Sequence, residues 1–325
     1  MTNQKQRVFS GIRPTGEIHL GNFLGSVNQW SELQNNYDCV FAVVDYHAIT
    51  TTFESKELPK AIIETSKWII ASGVDQQKSL IILQSQIPEH TELAWILNCL
   101  TPLGELERMT QFKEKREQET AKSGIMAGLL NYPVLMASDI LLYQTDLVPV
   151  GEDQVQHIEL ARDIAKRFNN RFGKVFTIPN YQLSKNARVM SLKNPTEKMS
   201  KTGDQGILLS DSAKEIERKI MGATTDTIAS DQMSAGVKNL CNILQTVSPR
   251  TYSQMLEKYQ KKTLQYLELK KVLAKELISY LLPIQKKYHQ ISDDQALEIF
   301  EKSRARAQSL AQKTLSRAKK TIGVL

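Results

Sequence analysis

Arg7-Val-Phe-Ser-Gly-Ile-Arg-Pro-Thr-Gly-Glu-Ile-His-Leu-Gly-Asn-Phe-Leu-Gly25 is the stretch on which the reading of this chain turns. Val8 to Ile12 is a short apolar run of strand type. Pro14 and Gly16 then force a turn, and helical spacing opens near Leu20 and continues through Leu24, Val27, Trp30 and Leu33. A strand that ends at such a turn and feeds a helix makes a place for phosphate. The free N–H groups of the first helical turn and the positive end of its dipole face whatever lies beyond the strand's carboxyl end. His19 and Asn22 add neutral donors three residues apart, on one helical face. Gly21 removes a side chain that would hold a nucleotide at a distance. A plain glycine-rich connection with a solvated histidine would look the same, and this stretch alone leaves both readings open.

Outward from it, residues 39–45 and 79–84 are continuous apolar runs of strand length. Helical patterns at 58–72, closed by Gly73, and at 89–100 separate and follow them. Strands without polar alternation, interleaved with helices, predict an α/β fold: a Rossmann-like parallel sheet covered on both faces. Ligands of such sheets sit beyond the carboxyl ends of the strands, at the switch in strand order. Asp45, Tyr46 and His47, and Gln84 to Gln86, follow the second and third strands and are expected in the same crevice as His19.

The 325 residues suffice for one large α/β domain and a smaller one. No apolar run approaches the ~20 residues that cross a bilayer, so a soluble, cytoplasmic protein without a membrane partner is expected. Cys39, Cys99 and Cys241 are too few and too scattered for a disulfide framework or a zinc site. Cys39 and Cys99, beside Val40 and Leu100, read as small core residues. No resident metal site is expected. The net charge of +7 is uneven: from Thr251 to Leu325 there are 15 Lys/Arg against 7 Asp/Glu, more than the whole surplus. That third is predicted to be helical, with a leucine stripe at 269, 273, 277 and 281 ended by Pro283 and a basic helix at 298–320. Its charge suits a nucleic-acid backbone, or simply a solvated helical face.

Residues 104–115 look helical and the polar run to 124 does not. This segment reads as a solvated helix and loop, or else as a flap whose Lys113 or Lys115 meets phosphates. Tyr132, Met136, Asp139, Ile140 and Tyr143 share a helical stripe, which sets an acid among apolar and aromatic neighbours. A buried carboxylate needs a donor, either from protein or from a ligand N–H or O–H. Residues 147–150 form a short strand, and Glu152 and Asp153 stand in the first turn of the helix after it, as helix-end acids or as acceptors for a ribose. Lys198-Met-Ser-Lys-Thr202 is a loop with two lysines bracketing Met-Ser, suited to a leaving phosphate or to the surface.

Taken together the motifs are more specific. Pro14-Thr-Gly-Glu-Ile-His-Leu-Gly-Asn22 resembles the HIGH signature of the class I aminoacyl-tRNA synthetases, and Lys198 to Thr202 resembles their KMSKS loop. Val44-Asp-Tyr-His-Ala-Ile-Thr50, Gly104 to Lys113, Tyr132 to Ile140 and Val148 to Ile158 are similar to the tryptophanyl-tRNA synthetases of bacterial and organellar type, from about residue 7 onward. The resemblance implies a Rossmann-like catalytic domain over 1–190, onto which a tail at about 300–325 can pack back. Over 191–325 it implies the KMSKS loop and an all-helical tRNA anticodon-binding region.

It also implies a tryptophan–tRNA ligase, in which ATP and L-tryptophan give an adenylate and pyrophosphate and the tryptophanyl group passes to tRNA(Trp). ATP would bring Mg²⁺ with it, and the family is homodimeric. By the same resemblance His19, Asn22, Lys198, Ser200 and Lys201 act in catalysis. Arg13, Pro14, Thr15, Gly21, Gly151, Glu152, Asp153, Val189, Met199 and Thr202 join Asn22, Lys198, Ser200 and Lys201 around ATP. Asp139 is implied to accept the indole N–H, with Phe9, Met136, Ile140, Val148 and Val150 lining the ring slot. His47 stands beside it, and Tyr132 and Gln154 take the ammonium group. Arg13, Tyr46 and Thr202 depart from the family pattern, where Gln, Gln and Ser are frequent. A tyrosyl-tRNA synthetase shares the fold, but Gly-Glu-Asp-Gln and Lys-Met-Ser-Lys are the tryptophan-type forms.

Overall fold

β1 (Arg7–Ile12) is the middle strand of a five-stranded sheet ordered β3–β2–β1–β4–β5, parallel throughout. The others are β2 (Asp38–Val43), β3 (Ser79–Leu83), β4 (Leu147–Val150) and β5 (Asn180–Leu183). The computed structural model describes residues 5–51, 53–119, 124–183, 189–200, 205–225 and 232–324. Chain order runs one way from β1 to β3 and the other way from β4 to β5, so the switch point lies between β1 and β4.

The inner strands are buried on both faces. Val8, Ile12, Cys39, Phe41 and Val43 enter one core, and Phe9, Val40, Ala42 and Val44 enter the other, as the two-residue period of a strand requires. The first core is continuous with Leu240, Ile243, Leu244, Leu269, Leu273, Leu277 and Leu281, so the helical region closes over this face of the sheet. The second is covered by the helices Glu89–Asn98, Ala127–Leu142 and Val155–Phe172.

The last helix, Asp293–Ile322, opens with a capping box between Ser292 and Gln295. It runs along the outer edge of the sheet, where the Ser303 hydroxyl accepts the Ile81 N–H at 3.0 Å. Edge strands left bare invite foreign pairing, and this helix covers the β3 edge.

Three expectations differ from the structure. Pro283 does not end its helix, which spans Tyr266–Gln290. Pro283 and Ser279, whose carbonyl loses its intrahelical donor, both face solvent, so water can replace the missing N–H. Cys99 is exposed, because it lies just past the end of its helix, whereas Cys39 and Cys241 are buried. The segment 104–115 is two helices, Leu103–Glu107 and Thr110–Glu119, rather than one.

Candidate active site

Gly16, with φ +81, turns the chain after β1 as its position predicted. The helix then opens at Leu20, loosens into a π-turn over Phe23–Val27 and resumes over Asn28–Asn36. His19 is its N-cap: Nδ1 accepts the Asn22 N–H at 3.3 Å. A neutral His19 with Nδ1 accepting carries its proton on Nε2, which makes Nε2 the donor. A Cβ at Gly21 would stand 3.1 Å from this imidazole and 3.5 Å from Met199, so glycine here keeps the His19 ring in place. The glycine was expected to make room for a nucleotide; its nearest neighbour is this ring.

A cavity of about 940 Å³ opens at the switch point, beyond the carboxyl ends of β1 and β4. Of the predicted residues, Phe9, Arg13, Thr15, His19, Gly21, Asn22, His47, Tyr132, Met136, Asp139 and Ile140 line it. So do Val148, Val150, Gly151, Glu152, Asp153, Gln154, Val189, Lys198 and Met199. Pro14 and Ser200 do not line it; the Ser200 hydroxyl donates to Gln205 Oε1 at 2.9 Å. Lys201 and Thr202 lie outside the described residues. Lys113 is exposed on its helix and does not line the cavity, and the side chain of Lys115 is not among those described. Across the opening, Lys198 Nζ stands 2.7 Å from Asp153 Oδ2, so a cation and an acid meet where the two halves of the site face each other.

Asp139 is 1 % exposed on the helix Ala127–Leu142. The stripe set an acid in an apolar slot and left open whether its donor comes from protein or from a ligand. Instead its Oδ1 accepts from Gln84 Nε2 at 2.8 Å and from His90 Nδ1 at 2.6 Å, and its Oδ2 meets His47 Nε2 at 2.8 Å. Burial pushes this carboxyl up, but the hydrogen bonds and charges of His47 and His90 more than offset it and hold the group below the ordinary Asp value. A carboxylate offers about four acceptor positions. Three are used, and the remaining one is on Oδ2, in the residue that lines the cavity. The His90 ring is held in turn by the Tyr143 hydroxyl at 2.9 Å.

Tyr132 is tied on the same side. Its hydroxyl donates to Gln111 Oε1 at 3.0 Å and lies 2.9 Å from His157 Nε2. Burial pushes the Tyr132 phenol up to about 12, against the pull of Arg13. Burial also holds His157 down to about 4, against the pull of Asp153. The cavity therefore has a buried acid with one acceptor position to spare, a tethered phenol, and at its other end a helix N-terminus facing a lysine loop.

Sequence reasoning missed Gln111, His90 and the stripe Ala235, Lys238, Asn239 and Asn242, which all contribute to the site. The i, i+3, i+4, i+7 spacing of that stripe was visible, but nothing local says which wall it faces. Among the described residues no cluster of three or more His, Cys, Asp or Glu is placed to hold a metal ion, and no helix is long and apolar enough to cross a membrane.

The architecture and its two-ended cavity are those of an α/β nucleotide-binding enzyme. The profile of the family described as tRNA synthetases class I (W and Y) matches residues 1–281, and the chain belongs to that family. Within it the chain is a member of the tryptophan–tRNA ligases. It is 43 % identical to the tryptophan–tRNA ligase of Clostridium acetobutylicum over 100 % of this chain and 99 % of the relative. It is 45 % identical to that of Helicobacter pylori, with 99 % of both chains covered. The crystal structure of tryptophanyl-tRNA synthetase from Mycoplasma pneumoniae superposes with a TM-score of 0.92 at 35 % identity, covering 99 % of each chain. The Campylobacter jejuni tryptophanyl-tRNA synthetase complexed with ADP and tryptophan superposes at 0.82 with 31 % identity, covering 98 % of this chain and 100 % of the other.

Proposed function

We propose that this chain activates L-tryptophan with ATP and transfers it to tRNA(Trp). The tryptophan carboxylate attacks the α-phosphorus, the bond from the α-phosphorus to the bridging oxygen breaks, and pyrophosphate leaves with that oxygen. A ribose hydroxyl of the tRNA then attacks the activated carbonyl, and AMP leaves. The carboxylate is already a nucleophile, so the first step needs alignment and charge neutralisation rather than a general base. His19 Nε2–H and Asn22 at the helix N-terminus meet the triphosphate. Lys198 leaves Asp153 to meet the departing pyrophosphate, and Asp153 with Gly151 and Glu152 is then free for the ribose. The backbone at Val189 takes the adenine. Mg²⁺, held by ATP's own oxygens and water, shields the phosphates and needs no protein cage.

The observation that carries this reading is the spare acceptor position on Asp139 Oδ2, in the wall of a cavity whose other end is a phosphate cradle. That oxygen takes the indole N–H. Phe9, Met136, Ile140, Val148 and Val150 surround the ring, and Tyr132 and Gln154 receive the ammonium group. Phenylalanine would leave the acceptor unpaired, and sites of this type reject such analogues strongly.

The basic helical region serves the tRNA anticodon, and the enzyme acts in the cytoplasm, where translation draws on charged tRNA. The chain works as a homodimer, and Trp95 (71 % exposed), Leu103 and Met126 are exposed apolar side chains that a second copy could bury. The deciding experiment is ATP–pyrophosphate exchange with tryptophan, tyrosine and phenylalanine in turn. Exchange with tryptophan alone is expected; exchange driven by tyrosine instead would refute the proposal.

A further inference from the structure

The lysine loop starts from the second limb of a hairpin over residues 189–199. The helical region holds this hairpin through Asn239 and through Thr224, whose N–H donates to Leu192 O at 2.8 Å and whose hydroxyl donates to Lys193 O at 2.7 Å. The limbs of the hairpin pair through Met190 and Lys198: Ser191 N–H donates to Glu197 O at 2.9 Å and Met199 N–H to Val189 O at 3.3 Å. The turn is held from inside, where the Ser191 hydroxyl accepts the N–H groups of Lys193 and Asn194.

In an antiparallel pair bonded this way, the N–H and C=O of the middle residue point away from the partner limb. Those of Met190 would be bare edge groups. Asn239, 2 % exposed on the helix Ala235–Val247, supplies both partners: Oδ1 accepts Met190 N–H at 2.8 Å and Nδ2 donates to Met190 O at 2.9 Å. One carboxamide thus stands in for a third strand. Asp could accept but not donate here, and Leu could do neither.

What hangs from this clamp is the nucleotide end of the cavity. Val189 and Met190 line it on one limb, and Lys198 and Met199 on the other. Met199 packs beside Gly21, in the turn that His19 caps. The helix that carries Asn239 packs on the helices Pro249–Gln260 and Tyr266–Gln290, so the clamp is fixed to the body of the helical region.

We propose that Asn239 is a positioning residue for ATP: it sets the Val189–Met190 backbone and, through the hairpin, the reach of Lys198. It thereby makes adenylate formation depend on where the helical region sits. The inference rests on reading this end of the cavity as the ATP site. Asn239 Oδ1 and Nδ2 both bond to the Met190 backbone, so it acts on nucleotide use through that backbone and leaves tryptophan binding alone.

The test is a kinetic cycle on the full chain with N239L, N239D, K198A and the double variant N239L/K198A. ATP–pyrophosphate exchange gives kcat/KM for ATP, and calorimetry without nucleotide gives Kd for tryptophan. A misplacement of about 1 Å costs on the order of 100-fold, so N239L and N239D should lose about that much in kcat/KM for ATP. Tryptophan Kd should stay within about twofold. In the K198A background N239L should cost clearly less than it costs alone, because the part of its effect that runs through Lys198 is already lost. Losses that multiply across the cycle would overturn the inference, as would equal losses for ATP and tryptophan or an undiminished rate in either variant. If N239L does not fold, N239D, which keeps the bond from Met190 N–H, decides by the split between ATP and tryptophan alone. A wild-type chain without tryptophan-driven exchange would instead sink the proposed function.

Discussion

Replacing Asp139 with Asn changes one atom at the end of the cavity proposed to hold the amino acid. The wild-type carboxylate accepts three protein donors and keeps one acceptor position for a fourth. In D139N the amide oxygen can keep Gln84 and His90 on the Oδ1 side. Its NH₂ then faces His47, which can adapt by exposing an unprotonated Nε2. The fold should survive at a cost of roughly 1–3 kcal/mol, since two charge-assisted bonds become neutral and one is re-formed.

The ligand has no such escape, because the spare acceptor has become a donor aimed at an indole N–H. Losing a hydrogen bond to a charged acceptor is worth about 1.5–3 kcal/mol, or roughly 10- to 150-fold in kcat/KM for tryptophan. Phenylalanine, with no N–H to lose, should change little. The assay is ATP–pyrophosphate exchange with both amino acids, and selectivity should fall by at least about tenfold. If D139N discriminates as strongly as the wild type, the acid does not read the ring N–H. The pH dependence adds a check. The folded carboxyl sits below its unfolded value, so its stabilisation is full above the unfolded pKa and fades as pH falls through the folded one. The stability gap between wild type and D139N should therefore narrow in strong acid.

Other expectations concern the parts around this centre. G21A puts a methyl 3.1 Å from the His19 ring; the cap should shift and kcat/KM for ATP fall about tenfold or more, with tryptophan binding unchanged by calorimetry. S303A leaves the Ile81 N–H without its partner at the β3 edge, so urea unfolding should show a loss of about 1–3 kcal/mol with exchange kinetics intact. His157 is buried and held down to about 4, well below its unfolded value. Protonating the unfolded chain first costs stability as pH drops below the unfolded value toward 4, by roughly 3 kcal/mol in all. H157Q should flatten that slope in unfolding measurements at pH 7 and 4.5; an unchanged slope would place the titration elsewhere.

The sheet was legible where strands are buried on both faces: Cys39–Val43 and Leu80–Leu83 are unbroken apolar runs, and Val8–Ile12 is interrupted only by Ser10 and Gly11. β5, Asn180–Leu183, carries polar and exposed residues on an outer strand and gave no such sign. The π-turn at Phe23–Val27 has no local signature either, and the stripe at 269–281 could not tell that Pro283 lies on a wet face. In the cavity, residues that meet through motif spacing, such as His19 with Asn22, were readable. Those that meet only through the fold were not: Gln84 was placed near the crevice by its position after β3, but its bond to Asp139, 55 residues away, and that of His90, 49 away, were not readable. The need for a donor was evident from the buried acid, while its identity is a tertiary fact.

The bond from Ile81 to Ser303 joins residues 222 apart. A ribosome making this chain therefore releases the nucleotide-binding sheet with one side open, and keeps it so until the helix from Asp293 onward has emerged. During that interval the exposed β3 backbone is a target for chaperones or for another nascent copy. Polysomes stalled while the Asp293–Ile322 helix is still in the exit tunnel should accumulate chaperone-bound or aggregated chains, and those stalled after an added linker long enough to release it should not.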